Sequence, residues 1–119
     1  MIGTTNKEDK TIFSLFGNRG KSLNMAQALE NMKSDPAIRL VDVRSPEEFR
    51  EGHIPGSISL PLDSLSRVAK VIPDKDTVIY TYCYSGSRSG AAVDMLGRMG
   101  YTQVKNIGGI SGYHGTLAR

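Results

Sequence analysis

The chain has 119 residues, a length that suits one domain with one core, and its 39% hydrophobic content is that of an ordinary soluble fold. Fifteen Lys and Arg against twelve Asp and Glu give a net charge of +3, but no long basic run or basic and aromatic stripe is present, so no nucleic-acid partner is expected. The single cysteine excludes an internal disulfide, a CxxC redox pair and a cysteine-based zinc site made by this chain alone, and a lone thiol is most at home in a reducing compartment.

Residues 1–21 read as a polar N-terminal extension with one apolar patch, Ile12 to Phe16, that suits a short strand at most. The stretch lacks the continuous apolar core of a signal peptide, and no apolar run approaches a membrane span, so a cytoplasmic location without a membrane partner is the expectation. Asn24 offers an N-cap for a helix through Met32, with Met25, Ala28, Leu29 and Met32 as its buried stripe; Asp35-Pro36 ends it. Ile38 to Val43 is the next strand. Asp42 interrupts its apolar run near the C-terminal end, where a parallel sheet has its usual ligand-binding edge. A local pairing, with Arg44 or with the next helix's N–H groups, is favoured there over direct catalysis.

Ser45-Pro46-Glu47-Glu48 is a helix start, with Ser45 as N-cap, Pro46 at the first helical position and two acids in the first turn. The helix ends at Glu51-Gly52. His53 could serve as a general base, but beside Gly and Pro it reads better as a loop-fixing hydrogen-bond donor. Ser57 to Leu60 suits a brief strand, and Leu62, Leu65, Val68, Ala69 and Ile72 spell a helix closed by Pro73. Asp74-Lys75-Asp76 reads as a surface turn.

The most informative stretch is Thr77 to Gly100, TVIYTYCYSGSRSGAAVDMLGRMG. Thr77 to Tyr82 are all β-branched or aromatic, as in a strand covered on both faces. Cys83 follows, then a short polar run from Tyr84 to Arg88, then Ala92, Leu96 and Met99 at helical spacing. A loop between a buried strand and a helix start aims backbone N–H groups at one spot, and the helix dipole adds positive potential. The thiol sits at the mouth of that cradle, where a thiolate and an anion are favoured. Gly86 suits a positive-φ corner, while the hydroxyls of Ser85 and Ser87 are available as donors. Tyr84 is either a pocket wall or exposed surface. A cation at a helix N-terminus opposes the dipole by a few tenths to about 1 kcal/mol. Arg88 therefore implies an anion between itself and the loop; the alternative is that it swings outward or pairs with an acid such as Asp42. Beyond it come a last short strand from Gln103 to Asn106 or Ile107, a turn at Gly108-Gly109 and a final helix over Ile110 to Leu117. Strands alternating with helices imply an α/β domain with a mostly parallel sheet.

The segments LVDVRSPEEFREGHIPGSISLP and CYSGSRSGAAVDMLGRMGYTQVKNIGGI resemble a rhodanese domain over roughly residues 22 to 117, and the domain is placed at 22–119. The resemblance implies a single domain whose central, mostly parallel sheet has helices on both faces, with the active-site loop after the central strand. It implies transfer of a sulfane sulfur from a small donor such as thiosulfate, through a Cys83 persulfide, to cyanide or a thiol, with no cofactor and no metal. Cys83 is then the nucleophile, Tyr84, Ser85, Gly86, Ser87, Arg88 and Ser89 bind substrate, and Asp42, Arg44 and His53 support them. Six residues from Cys83 to Arg88 match sulfurtransferase-like loops; the related phosphatases have one more, which disfavours a phosphatase or arsenate reductase. Tyr113 stands near where relatives often have tryptophan, and the tandem inactive domain of longer relatives is absent, so a shallow, open donor site is expected. A persulfide carrier acting with a protein partner is the alternative to a small-molecule enzyme.

Overall fold

The computed structural model describes residues 21–119, and the apolar patch expected to form a strand at Ile12 to Phe16 lies outside them. The elements are α1 (Met25–Ser34), β1 (Arg39–Asp42), α2 (Pro46–Glu51), β2 (Ile58–Ser59), a 3-10 segment (Leu62–Arg67) running into α3 (Val68–Val71), β3 (Val78–Cys83), α4 (Ser87–Arg98), β4 (Gln103–Gly109) and a 3-10 turn (Ile110–Gly112). The strands form one sheet in the order β2-β1-β3-β4, and every pairing is parallel. The thiol-bearing strand is thus central, between β1 and β4. Among the described residues no helix is long and apolar enough to cross a membrane.

Strand periodicity sorts the core into two layers. Val41, Ile79, Cys83 and Val104 face one side, packed with Leu65, Val68 and Ile72 and with Ala92, Val93 and Leu96 of α4. Leu40, Tyr80, Tyr82 and Ile107 face the other, covered by Ala28 of α1 with Met25, Leu29 and Met32 around it. Helices therefore cover both faces, as the resemblance to a rhodanese domain implied.

The caps form as the residue types dictate. The Asn24 side chain accepts the Gln27 N–H at 2.8 Å. Ser45 Oγ accepts the Glu48 N–H at 3.1 Å while Glu48 Oε1 accepts the Ser45 N–H at 3.0 Å, a reciprocal capping box with Pro46 at the first position of α2.

Three expectations need correction. The segment from Leu62 to Ile72 is not one α-helix: Ser64, at φ −121° and ψ 20°, breaks it, and Ala69 is exposed. The spacing of three from Leu62 to Leu65 to Val68 suits a 3-10 turn, in which residues i and i+3 eclipse. Gly108 and Gly109 do not form a turn after the last strand but are its final residues, and Gly109 pairs with Cys83. No helix forms over Ile110 to Leu117 beyond the short 3-10 turn. Gly112 and Gly115 weaken helix there, and the chain instead returns to bridge Ala118 with His53, whose backbone groups exchange bonds of 2.9 and 2.8 Å.

Asp42 and Arg44 form the buried polar frame of this end of the sheet. Asp42 is fully buried and Arg44 is 6% exposed. The Asp42 carboxylate accepts Arg44 Nη2 at 2.7 Å, Nε at 3.0 Å and the Arg44 backbone N–H at 2.9 Å. Arg44 Nη2 also donates to the Gly52 carbonyl at 2.7 Å, tying the end of α2 to β1. Removing one partner of a buried pair leaves the other uncompensated, so Asp42→Ala should cost about 3–5 kcal/mol in denaturant unfolding. A cost below about 1 kcal/mol would mean that water reaches the Arg44 guanidinium in the variant.

Candidate active site

Period-2 alternation along β3 points Ile79, Thr81 and Cys83 to the α4 side. Cys83 is the last residue of the strand rather than the first of the loop, and it is fully buried. The thiol therefore lies at the floor of the cradle, not at its mouth. Gly86 turns the loop at φ 109°, a conformation open to glycine, and α4 begins at the next residue. That turn brings the Gly86 N–H to 3.0 Å from Cys83 Sγ.

Ser89, one turn into α4, is fully buried, and its hydroxyl reaches Cys83 Sγ at 3.4 Å. Burial pushes the Cys83 thiol up, but the Ser89 hydroxyl and the backbone N–H groups of Ser89, Gly86 and Ser85 outweigh it, so the net shift is downward. Ser85 and Ser87, expected to supply hydroxyl donors, have exposed side chains; Ser85 contributes through its backbone and the hydroxyl role falls to Ser89. The reason is helical geometry: from Ser87, a step of two residues around α4 turns the side chain back under the loop.

Asn106 is the residue that sequence reading passed over. Its Oδ1 accepts Ser89 Oγ at 2.7 Å and the Gly108 N–H at 2.9 Å, while its Nδ2 donates to the Gly86 carbonyl at 3.0 Å. One amide thus joins β4, the loop and α4 beneath the sulfur. Gly109 completes the fit, since a Cβ there would collide with the Tyr84 carbonyl and lie 2.6 Å from Ser85 Cα. Nothing in the local sequence marks Asn106, because its partners in α4 and the loop, Ser89 and Gly86, lie 17 and 20 residues away.

Arg88 does not face an empty anion site. Its Nη1 and Nη2 meet Glu48 Oε1 and Oε2 at 2.8 and 3.1 Å, a two-point ion pair that joins α4 to α2. The acid is Glu48 and not Asp42, because Asp42 is consumed by Arg44. Arg88 hydrogen bonds are the main cause holding Glu48 down at about 2. A depressed carboxylate contributes stability above its ordinary range and loses it as pH falls toward about 2, so the pair is intact at neutral pH.

The other sequence candidates separate. Tyr84 is 57% exposed and edges a cleft with Glu48, Glu51 and Leu117. His53 stacks on Phe49 with ring centroids 3.7 Å apart, and its Nδ1 lies 2.8 Å from the Phe49 carbonyl. A carbonyl only accepts, so Nδ1 carries the proton and the ring fixes the loop.

Comparisons with known proteins identify the family. Residues 25–116 match the family model of the rhodanese-like domain. The thiosulfate sulfurtransferase PspE of Escherichia coli is 42% identical over 71 residues, which cover 59% of this chain and 68% of that protein. A sulfurtransferase of Allochromatium vinosum is 40% identical over 73 residues, 60% of this chain and 66% of that one. A solved structure of a rhodanese with anions from E. coli superposes with a TM-score of 0.66 at 37% identity, over 70% of this chain and 99% of that chain.

The donor set on the sulfur generates a titration. The Cys83 thiolate should form with a midpoint below the ordinary thiol value of about 8.5, and Ser89→Ala should move it upward. Thiolate absorbance against pH, with Cys83→Ser as the blank, reads both. A midpoint in Ser89→Ala equal to that of the unmodified chain would contradict the role of the hydroxyl.

Proposed function

The chain belongs to the rhodanese-like domain family, and on that premise we propose that it is a sulfurtransferase working through a Cys83 persulfide. The observation that supports this most directly is the set of donors on one sulfur: the Gly86 N–H at 3.0 Å, from the turn after β3, and the Ser89 hydroxyl at 3.4 Å, from the first turn of α4.

In the proposed reaction the Cys83 thiolate attacks the terminal sulfur of a donor such as thiosulfate. A bond forms from Sγ to that sulfur, the donor's S–S bond breaks, and sulfite leaves with the electron pair. The loop N–H groups hold the negative charge of the persulfide. Cyanide or a thiolate then attacks the outer sulfur and departs as thiocyanate or a new persulfide, while the electron pair of the broken bond returns to Sγ. No general base is needed, because the attacking group is already a thiolate. Tyr84, Ser85 and Ser87 form the outer face of the loop that the donor meets, and the donor's sulfur has to pass that face to reach the covered thiol.

A second reading, a persulfide carrier acting with a protein partner, draws support from one feature. Tyr84, 57% exposed, and Leu117, 41% exposed, edge the same cleft beside the loop, an apolar surface suited to protein contact. Slow turnover of thiosulfate and cyanide, combined with rapid exchange from a protein persulfide, would favour that reading.

Intact mass decides the shared chemistry. After incubation with thiosulfate or a persulfide donor, the chain should gain one sulfur atom, and Cys83→Ser should gain none. A wild-type chain that gains no sulfur from either donor would sink the proposal.

A further inference from the structure

We propose that Glu48 sets the charge preference of this site: it withholds the Arg88 cation from the loop, so that a dianionic sulfur donor is disfavoured relative to a persulfide bearing one charge. The inference rests on the sulfur-transfer reading above and names the class of donor for the same loop.

Glu48 is held at two ends. Its Oε1 accepts both Arg88 Nη1 at 2.8 Å and the Ser45 N–H at 3.0 Å, and its own N–H donates to Ser45 Oγ at 3.1 Å. The carboxylate is therefore built into the cap of α2 and does not follow Arg88 if the guanidinium turns. For Arg88 to meet a donor it must leave both Glu48 oxygens. The uncovered carboxylate would then stand at the rim of the loop and repel the same anion. Arg44 offers no substitute, since its guanidinium is taken by Asp42 and the Gly52 carbonyl. Each of the two arginines around the loop is thus matched by one carboxylate, and what attracts negative charge is the backbone of the loop and the start of α4. Such a field is short-ranged and suits a single charge placed on the sulfur itself. A second charge farther out, as on thiosulfate, finds no unmatched cation in either pair. The pair also accounts for a cation at the start of α4, where the dipole opposes it, without requiring a ligand.

The test uses the 119-residue chain and the ratio of Cys83 alkylation rates by anionic iodoacetate and neutral iodoacetamide. The ratio cancels the thiolate fraction and the opening of the loop, leaving the local potential. Glu48→Gln keeps the capping box, which Gln can form, and removes the charge. The ratio should rise about two- to fivefold in Glu48→Gln and fall by a similar factor in Arg88→Ala, with both effects shrinking in high salt. The KM for thiosulfate should drop in Glu48→Gln by more than the KM for the persulfide of 2-mercaptoethanol. A ratio unchanged in both variants overturns the role of Glu48 whatever the protein transfers. A ratio that moves as expected in a chain that gains no sulfur from either donor overturns the sulfur-transfer reading alone.

Discussion

A sulfur buried at the end of a central strand can hold negative charge only if hydrogen-bond donors reach it, and the arrangement around Cys83 follows from that need. Removal from water favours the neutral thiol. The Gly86 N–H and the Ser89 hydroxyl reverse the preference, but neither is in place unless the chain turns sharply after β3 and starts α4 at once. The left-handed Gly86 makes the turn. Asn106 then holds the turn in position by taking up the Gly86 carbonyl and the Ser89 hydroxyl from below.

The Ser89 hydroxyl has one proton and four acceptors within reach: Asn106 Oδ1 at 2.7 Å, the Gly86 carbonyl at 3.1 Å, and Cys83 Sγ and the Gly108 carbonyl at 3.4 Å. The shortest of these is to Asn106 Oδ1. A charged sulfur competes more strongly, because a bond to an ionised acceptor is roughly twice as strong as a neutral one. The hydroxyl is thereby able to answer the charge on the sulfur with a small rotation, without movement of the loop.

The same end of the sheet carries two ion pairs with different duties. Asp42 with Arg44 is buried and joins β1 to the end of α2 through the Gly52 carbonyl, so it fixes the platform beside β3. Glu48 with Arg88 is half-exposed and joins α2 to α4 across the rim. It orders the loop's exit and at the same time neutralises the cation at the start of α4. The helix that Ser45 caps thus meets both pairs, through Glu48 in its first turn and through the carbonyl of its C-cap, Gly52.

Local chemistry made much of this protein legible. The caps at Asn24 and Ser45, the strand running up to Cys83, the glycine corner at Gly86 and the six-residue spacing to Arg88 depend on near neighbours, which is why residue order alone placed them. It also gave His53 its loop-fixing role, through the carbonyl of Phe49 four residues earlier. What the order of residues could not contain was the identity of partners brought together by the sheet. Glu48 lies 40 residues from Arg88, and Asn106 lies 17 from Ser89. The anchoring of Ser89 by Asn106 and the neutralisation of Arg88 by Glu48 both depend on those long-range contacts. The sequence determined that a thiol would meet a helix start; the tertiary structure decided which groups surround the sulfur and how much charge is left there, because electrostatic potential sums over every neighbour in space rather than along the chain.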